Sequence, residues 1–111
     1  MSFNEKQGFL TLREKLEALL RSSDHPLTVE ELSQLLALPP SESKLLYEHL
    51  RHLAKSIWQK SKGREALVMV PPTCRNCGYI FKELDKPRRP SKCPKCRSQR
   101  ITPPAFKIAR T

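Results

Sequence analysis

Apolar side chains recur at helical steps in three successive stretches of the first sixty residues. Leu12, Leu16, Leu19 and Leu20 form one stripe, with Phe9 a turn earlier. Thr11-Leu-Arg-Glu14 opens that stripe as a capping box, and the helix should stop near Arg21 to Asp24, before His25-Pro26. Leu27 then allows a brief extended segment. Thr28-Val-Glu-Glu31 repeats the box and predicts a second helix with Val29, Leu32, Leu35 and Leu36 inward, ended by Pro39-Pro40. Ser41 or Ser43 caps a third, on which Leu46, Leu50, Leu53 and Ile57 share a face.

Beyond Gly63 the period changes from helical to extended. Ala66-Leu-Val-Met-Val70 reads as a strand closed by Pro71-Pro72, and Pro103-Pro104 introduces a second over Ala105-Phe-Lys-Ile-Ala109. Tyr79 to Leu84 also alternates like a strand. Two short helices joined by a tight link are a helix-turn-helix, and a strand pair after the third helix is the wing of a winged helix. The expected architecture is therefore α+β, three helices plus a β-hairpin wing. Residues 1–72 and 103–111 form this winged domain, and 73–102 lie between the wing strands as an insert.

The insert holds all four cysteines, as Cys74-Arg-Asn-Cys77 and Cys93-Pro-Lys-Cys96. Two Cys-x-x-Cys pairs at this separation match a zinc ribbon, since each tight turn aims two sulfurs inward and four thiolates complete a closed tetrahedral site. One structural Zn2+ per chain is expected. Iron is chemically allowed in the same cage, and disulfides or a redox dithiol are the rival readings. Met1-Ser-Phe-Asn-Glu-Lys has neither the basic nor the apolar region of a secretory signal, and no apolar run approaches the length of a membrane span. A reduced, cytoplasmic protein is the expectation.

Charge separates the two halves. The chain carries +10, yet residues 1–62 hold nine Lys/Arg against eight Asp/Glu, and residues 63–111 hold twelve against three. An excess gathered around the ribbon points to a polyanionic partner or to a solvated face. The outward face of the third helix offers Ser43, Lys44, Tyr47, Arg51 and Lys55 as candidate DNA contacts, because this position in helix-turn-helix proteins meets base edges in the major groove. The loop between the cysteine pairs adds Lys86, Arg88, Arg89 and Lys92 for phosphates. Glu48 would repel phosphates unless it pairs with Arg51 or Lys44. Tyr79 and Phe81 are expected to cover the metal site. His25, His49 and His52 have no ligand vacancy to fill.

Taken together, Pro72-Thr-Cys74-Arg-Asn-Cys77-Gly78-Tyr-Ile-Phe81-Lys, Pro90-Ser-Lys-Cys93-Pro-Lys-Cys96 and Pro104-Ala-Phe106-Lys-Ile108 resemble a family of small archaeal proteins, predicted transcriptional regulators. In that family a helix-turn-helix domain is joined to a rubredoxin-like zinc ribbon. The resemblance implies a winged helix carrying its ribbon within the wing, with Cys74, Cys77, Cys93 and Cys96 as ligands. Arg97 departs from the pattern, because rubredoxin-like knuckles often have glycine there.

The expected function is a non-enzymatic, sequence-specific regulator that binds double-stranded DNA, with its third helix in the major groove and its basic ribbon on the backbone. The competing reading is an adaptor that docks on proteins of a transcription or RNA-processing machine, and an iron ribbon for electron transfer is a third. Phe3 and Phe9 could serve a homodimer contact. Nothing in the chain reads as a phosphate loop, a nucleophile motif or an open metal site.

Overall fold

The computed structural model describes residues 11–82, 84 and 87–111. Lys86, Phe3 and Phe9, singled out above, lie outside the described residues. Three helices lead into a small antiparallel sheet: α1 (Leu12–Ser22), β1 (Leu27–Thr28), α2 (Val29–Leu35), α3 (Ser43–Lys60), β2 (Glu65–Val70) and β3 (Ala105–Arg110). Both capping boxes form, Thr11 with Glu14 and Thr28 with Glu31, each side chain satisfying the other's backbone N–H.

The sheet order is β1-β3-β2, so the last strand of the chain is the middle one. β2 and β3 pair over their full length, Glu65 opposite Arg110 and Val70 opposite Ala105. Leu27 pairs with Phe106 across β1 and β3. The chain between β2 and β3 carries the four cysteines.

One core holds the helices on the sheet. Leu16 and Leu20 of α1, Val29 and Leu32 of α2, and Leu46, Leu50, Leu53 and Ile57 of α3 close on Leu27 and Phe106. Leu67, Met69 and Ile108 flank this core from β2 and β3. Arg21 clamps the open edge: its guanidinium donates to both carboxylate oxygens of Glu65 at 2.8 and 3.1 Å and to Glu17 at 2.9 Å. A second, smaller cluster of Cys74, Phe81, Cys93 and Ile101 surrounds the cysteine site.

Four expectations are corrected. Helix α2 does not run to Pro39; it stops at Leu35, where Ala37 turns left-handed (φ 56°) and the Leu38 N–H returns to the Ser33 carbonyl at 2.8 Å. Leu35 is 59 % exposed, because Val29, Leu32, Ser33 and Leu36 already fill the inward face and Leu35 falls about 100° from Leu36.

Neither Ser41 nor Ser43 caps α3. A 3₁₀ turn at Pro40–Glu42 runs directly into the helix, Glu42 occupies the cap position without a side-chain bond, and the Ser43 hydroxyl donates back to the Pro40 carbonyl at 2.8 Å. Pro40 at the first position of that turn suits the fixed φ of its ring. The described residues among 79–84 do not form a strand. There an isolated bridge pairs Ile80 with Thr73, since the first cysteine turn ends immediately before.

Candidate metal centre and the basic surface around it

Each Cys-x-x-Cys is built as a hairpin-like turn. The Gly78 N–H donates to the Cys74 carbonyl, and the Arg97 N–H to the Cys93 carbonyl, both at 2.9 Å. The residue after the second cysteine must turn left-handed in each, and Gly78 (φ 81°) and Arg97 (φ 63°) do so. Glycine adopts that geometry without steric cost, whereas arginine pays for its Cβ. The bridge between Cys74 and Ile101 brings the chain leaving the second turn alongside the first.

All four sulfurs lie within 4.8 Å of one another. Cys74 and Cys96 Sγ are 3.5 Å apart, and Cys77 and Cys93 Sγ 3.6 Å. A tetrahedral centre with metal–sulfur bonds of about 2.3 Å holds its sulfurs roughly 3.8 Å apart, so the group fits a four-thiolate ion. A disulfide requires about 2.05 Å, and all four cysteines are free. Cys74 and Cys93 are buried, and Phe81 covers them with Ile101. Tyr79 stands edge-on to Phe81 at 5.0 Å between ring centroids and is itself exposed.

Polar groups around the sulfurs favour the charge that a metal requires. The Asn76 side-chain amide donates to Cys96 Sγ at 3.4 Å; with the Ser98 N–H it draws that thiol down to about 6. The Lys95 N–H donates to Cys93 Sγ at 3.4 Å. The Tyr79 N–H favours the Cys77 thiolate as well, but burial and the three neighbouring sulfurs outweigh it and push Cys77 up to about 12. Four thiolates cannot share this space without a cation among them.

The sequence-derived basic positions divide into two groups. Lys44, Arg51 and Lys55 are exposed on α3, with Arg51 paired to Glu48 at 3.3 Å. Arg88 and Lys92 are exposed on the ribbon. Ser43 is half-buried against the Pro40 carbonyl. Tyr47 turns inward: its ring packs edge-on against Phe106, and its hydroxyl is buried without a hydrogen-bond partner among the described residues. Burial, reinforced by Glu30, pushes that phenol up to about 12.

Arg89 connects the ribbon to the helices. Its Nη2 donates to the Ile101 carbonyl at 3.0 Å, while Nη1 lies 3.7 Å from Glu30 Oε1 on α2. Sequence reasoning did not single out Arg75 and Arg100, which with Arg89, Gln99 and Ile101 line an open concavity of about 470 Å³. Arg75 sits inside the first cysteine turn and Arg100 just after the second, not in the long basic loop. Only the bridge that joins the two turns brings them together, so no local run of charge marks them.

Family comparison divides the chain at the end of β2. Residues 11–68 match the model described as PF0610-like, N-terminal, and residues 71–111 match the PF0610 rubredoxin-like zinc beta-ribbon domain. The solution NMR structure of protein PF0610 from Pyrococcus furiosus is similar at 32 % identity and a TM-score of 0.67, with 90 % of each chain covered. No curated protein matches.

Proposed function

The chain belongs to the PF0610-like family, and from its geometry we propose that it is a winged helix whose ribbon is inserted in the wing and which binds duplex DNA to regulate transcription. The element order helix, strand, helix, helix, strand, strand supports the winged-helix reading. Zinc is the proposed metal, held by Cys74, Cys77, Cys93 and Cys96; it supplies a closed, redox-inert crosslink that keeps the ribbon folded.

The observation that carries the reading is the distribution of cations. Lys44, Arg51 and Lys55 are exposed on α3, and Arg75, Arg88, Lys92 and Arg100 are exposed on the ribbon. Arg89 ties the ribbon to α2. A duplex has charges along both strands, and cations on one helix face together with cations on a finger suit it. Lys44, Arg51 and Lys55 would meet the groove, and Arg88 and Lys92 the phosphates. Tyr47 plays no part in base contact in this reading, because its ring belongs to the core.

Duplex affinity measured against salt tests the proposal. The log–log slope should lie near −0.9 per neutralised phosphate. Arg88→Ala should weaken all sequences equally, whereas Arg51→Ala should change which sequence is preferred. Absence of duplex binding at low salt would remove the proposal.

One feature favours a protein-docking role instead. Leu35 and Leu45 are 59 % and 45 % exposed on α2 and α3, and Trp58 is 51 % exposed near the end of α3. Large exposed apolar side chains suit a protein surface better than phosphates. Capture of a transcription or RNA-processing protein after nuclease treatment, lost on Leu45→Lys, would select that reading.

A further inference from the structure

We propose that Arg75, Arg89 and Arg100 together form a seat for a phosphate group, and that Glu30 of α2 is its built-in competitor. The three come from separate stretches: inside the first cysteine turn, in the loop, and after the second turn. Folding draws them to one concavity of about 470 Å³. The Arg75 N–H donates to the Arg100 carbonyl at 2.8 Å, which sets these two side by side. Arg89 reaches the same place through its bond to the Ile101 carbonyl.

Of the three, only Arg89 spends its side chain on the fold, through the Ile101 carbonyl. Arg75 and Arg100 enter its hydrogen bonding through their backbones, and their side chains make no hydrogen bond or ion pair among the described residues. Among the described residues no acidic side chain lines the concavity; Gln99 adds a neutral amide. Three arginines line one opening, so their like charges repel one another, and an anion relieves that repulsion. Planar, fork-shaped guanidinium groups match phosphate oxygens, and an open site admits a phosphate within a chain as readily as a free one.

Glu30 approaches from the helices. Its Oε1 stands 3.7 Å from Arg89 Nη1, beyond hydrogen-bond distance, and both side chains are about half exposed. Such a pair is weak, so a doubly charged phosphate displaces the carboxylate from Arg89. Occupancy of the seat thereby loosens the link between ribbon and α2.

The phosphate could belong to a nucleic-acid backbone or to a small ligand, and only the first source rests on the DNA-binding reading. The test follows the arginine Nε–H resonances of the zinc-loaded full chain on adding inorganic pyrophosphate, and separately a short mixed-sequence duplex. The resonances of Arg75, Arg89 and Arg100 should shift together. Arg75→Gln with Arg100→Gln should weaken pyrophosphate about tenfold, and Glu30→Gln should strengthen it about two- to five-fold.

If the double variant also reduces the duplex salt slope by about 0.9 per lost contact, the seat holds a backbone phosphate. If the slope is unchanged while pyrophosphate still shifts all three, the seat takes a free phosphate and stands even if duplex binding fails altogether. No shift with either probe, with zinc content and helical signal intact, overturns the seat even where the duplex binds elsewhere. An unchanged affinity in Glu30→Gln overturns the competitor role.

Discussion

The ring of Tyr47 meets that of Phe106 edge-on, 6.3 Å between centroids and 69° between planes. A residue from the second turn of α3 thus packs on the middle strand of the sheet, which enters the chain only after the cysteine segment. The contact uses the aromatic ring but leaves the Tyr47 hydroxyl buried and unbonded among the described residues. A buried hydroxyl without a partner costs about 1–3 kcal/mol.

Tyr47→Phe should therefore leave stability unchanged or raise it by up to about 1 kcal/mol. Denaturant midpoints at pH 7 decide this. A loss of more than about 1 kcal/mol would mean that the hydroxyl has a partner important to the fold.

Phe106 is fully buried among side chains of all three helices and of β1. Phe106→Ala should cost about 3–5 kcal/mol, enough to unfold a marginal domain. Thermal unfolding followed by helical circular dichroism provides the readout, and a small change would contradict the central place of β3.

Removal of the metal should unfold the ribbon and spare most helix. The two apolar clusters share no residue, and the cysteine cluster is too small to stand without its ion. A strong chelator at pH 7 should abolish protected amides near Cys74 and Cys93 while far-ultraviolet helical signal largely persists. Retention of ribbon protection in metal-free protein would refute this.

Arg97 holds a left-handed backbone that glycine adopts freely. Arg97→Gly should tighten the second cysteine turn by about 1 kcal/mol, less whatever the more flexible unfolded chain regains. Slower release of zinc to a chelator would register the gain. Faster release would show that the Arg97 side chain supports the turn by other contacts.

Acid should destabilise the helical domain. Hydrogen bonds from Arg21 hold Glu65 below its ordinary value of 4.5, and those from Thr11 do the same for Glu14. Depressed carboxyl groups contribute stability that is present above their unfolded value and is lost as pH falls through the folded one. His49, lowered by burial, adds a loss in the same direction as pH drops below 6.5. Glu65→Gln should flatten the acid limb of a plot of stability against pH, and an unchanged limb would exclude the Arg21 clamp as its source.

Local rules carried much of this protein in its sequence alone. Thr11, Glu14, Thr28 and Glu31 marked two helix starts because capping depends on neighbours three residues apart. The spacing of Cys74, Cys77, Cys93 and Cys96 announced a four-sulfur group for the same reason, since each pair is a local turn. The stripe of Leu46, Leu50, Leu53 and Ile57 named the buried face of α3. What sequence periodicity could not decide was how crowded each face would be: Leu35 lost its place to Ser33 and Leu36, and Tyr47 turned from the surface to Phe106. Nor could it bring Arg75, Arg89 and Arg100 together. Their meeting depends on the bridge between Cys74 and Ile101, and on Arg89 reaching the Ile101 carbonyl while lying beside Glu30. Those contacts join residues distant in the chain, and only closure of the tertiary structure creates them.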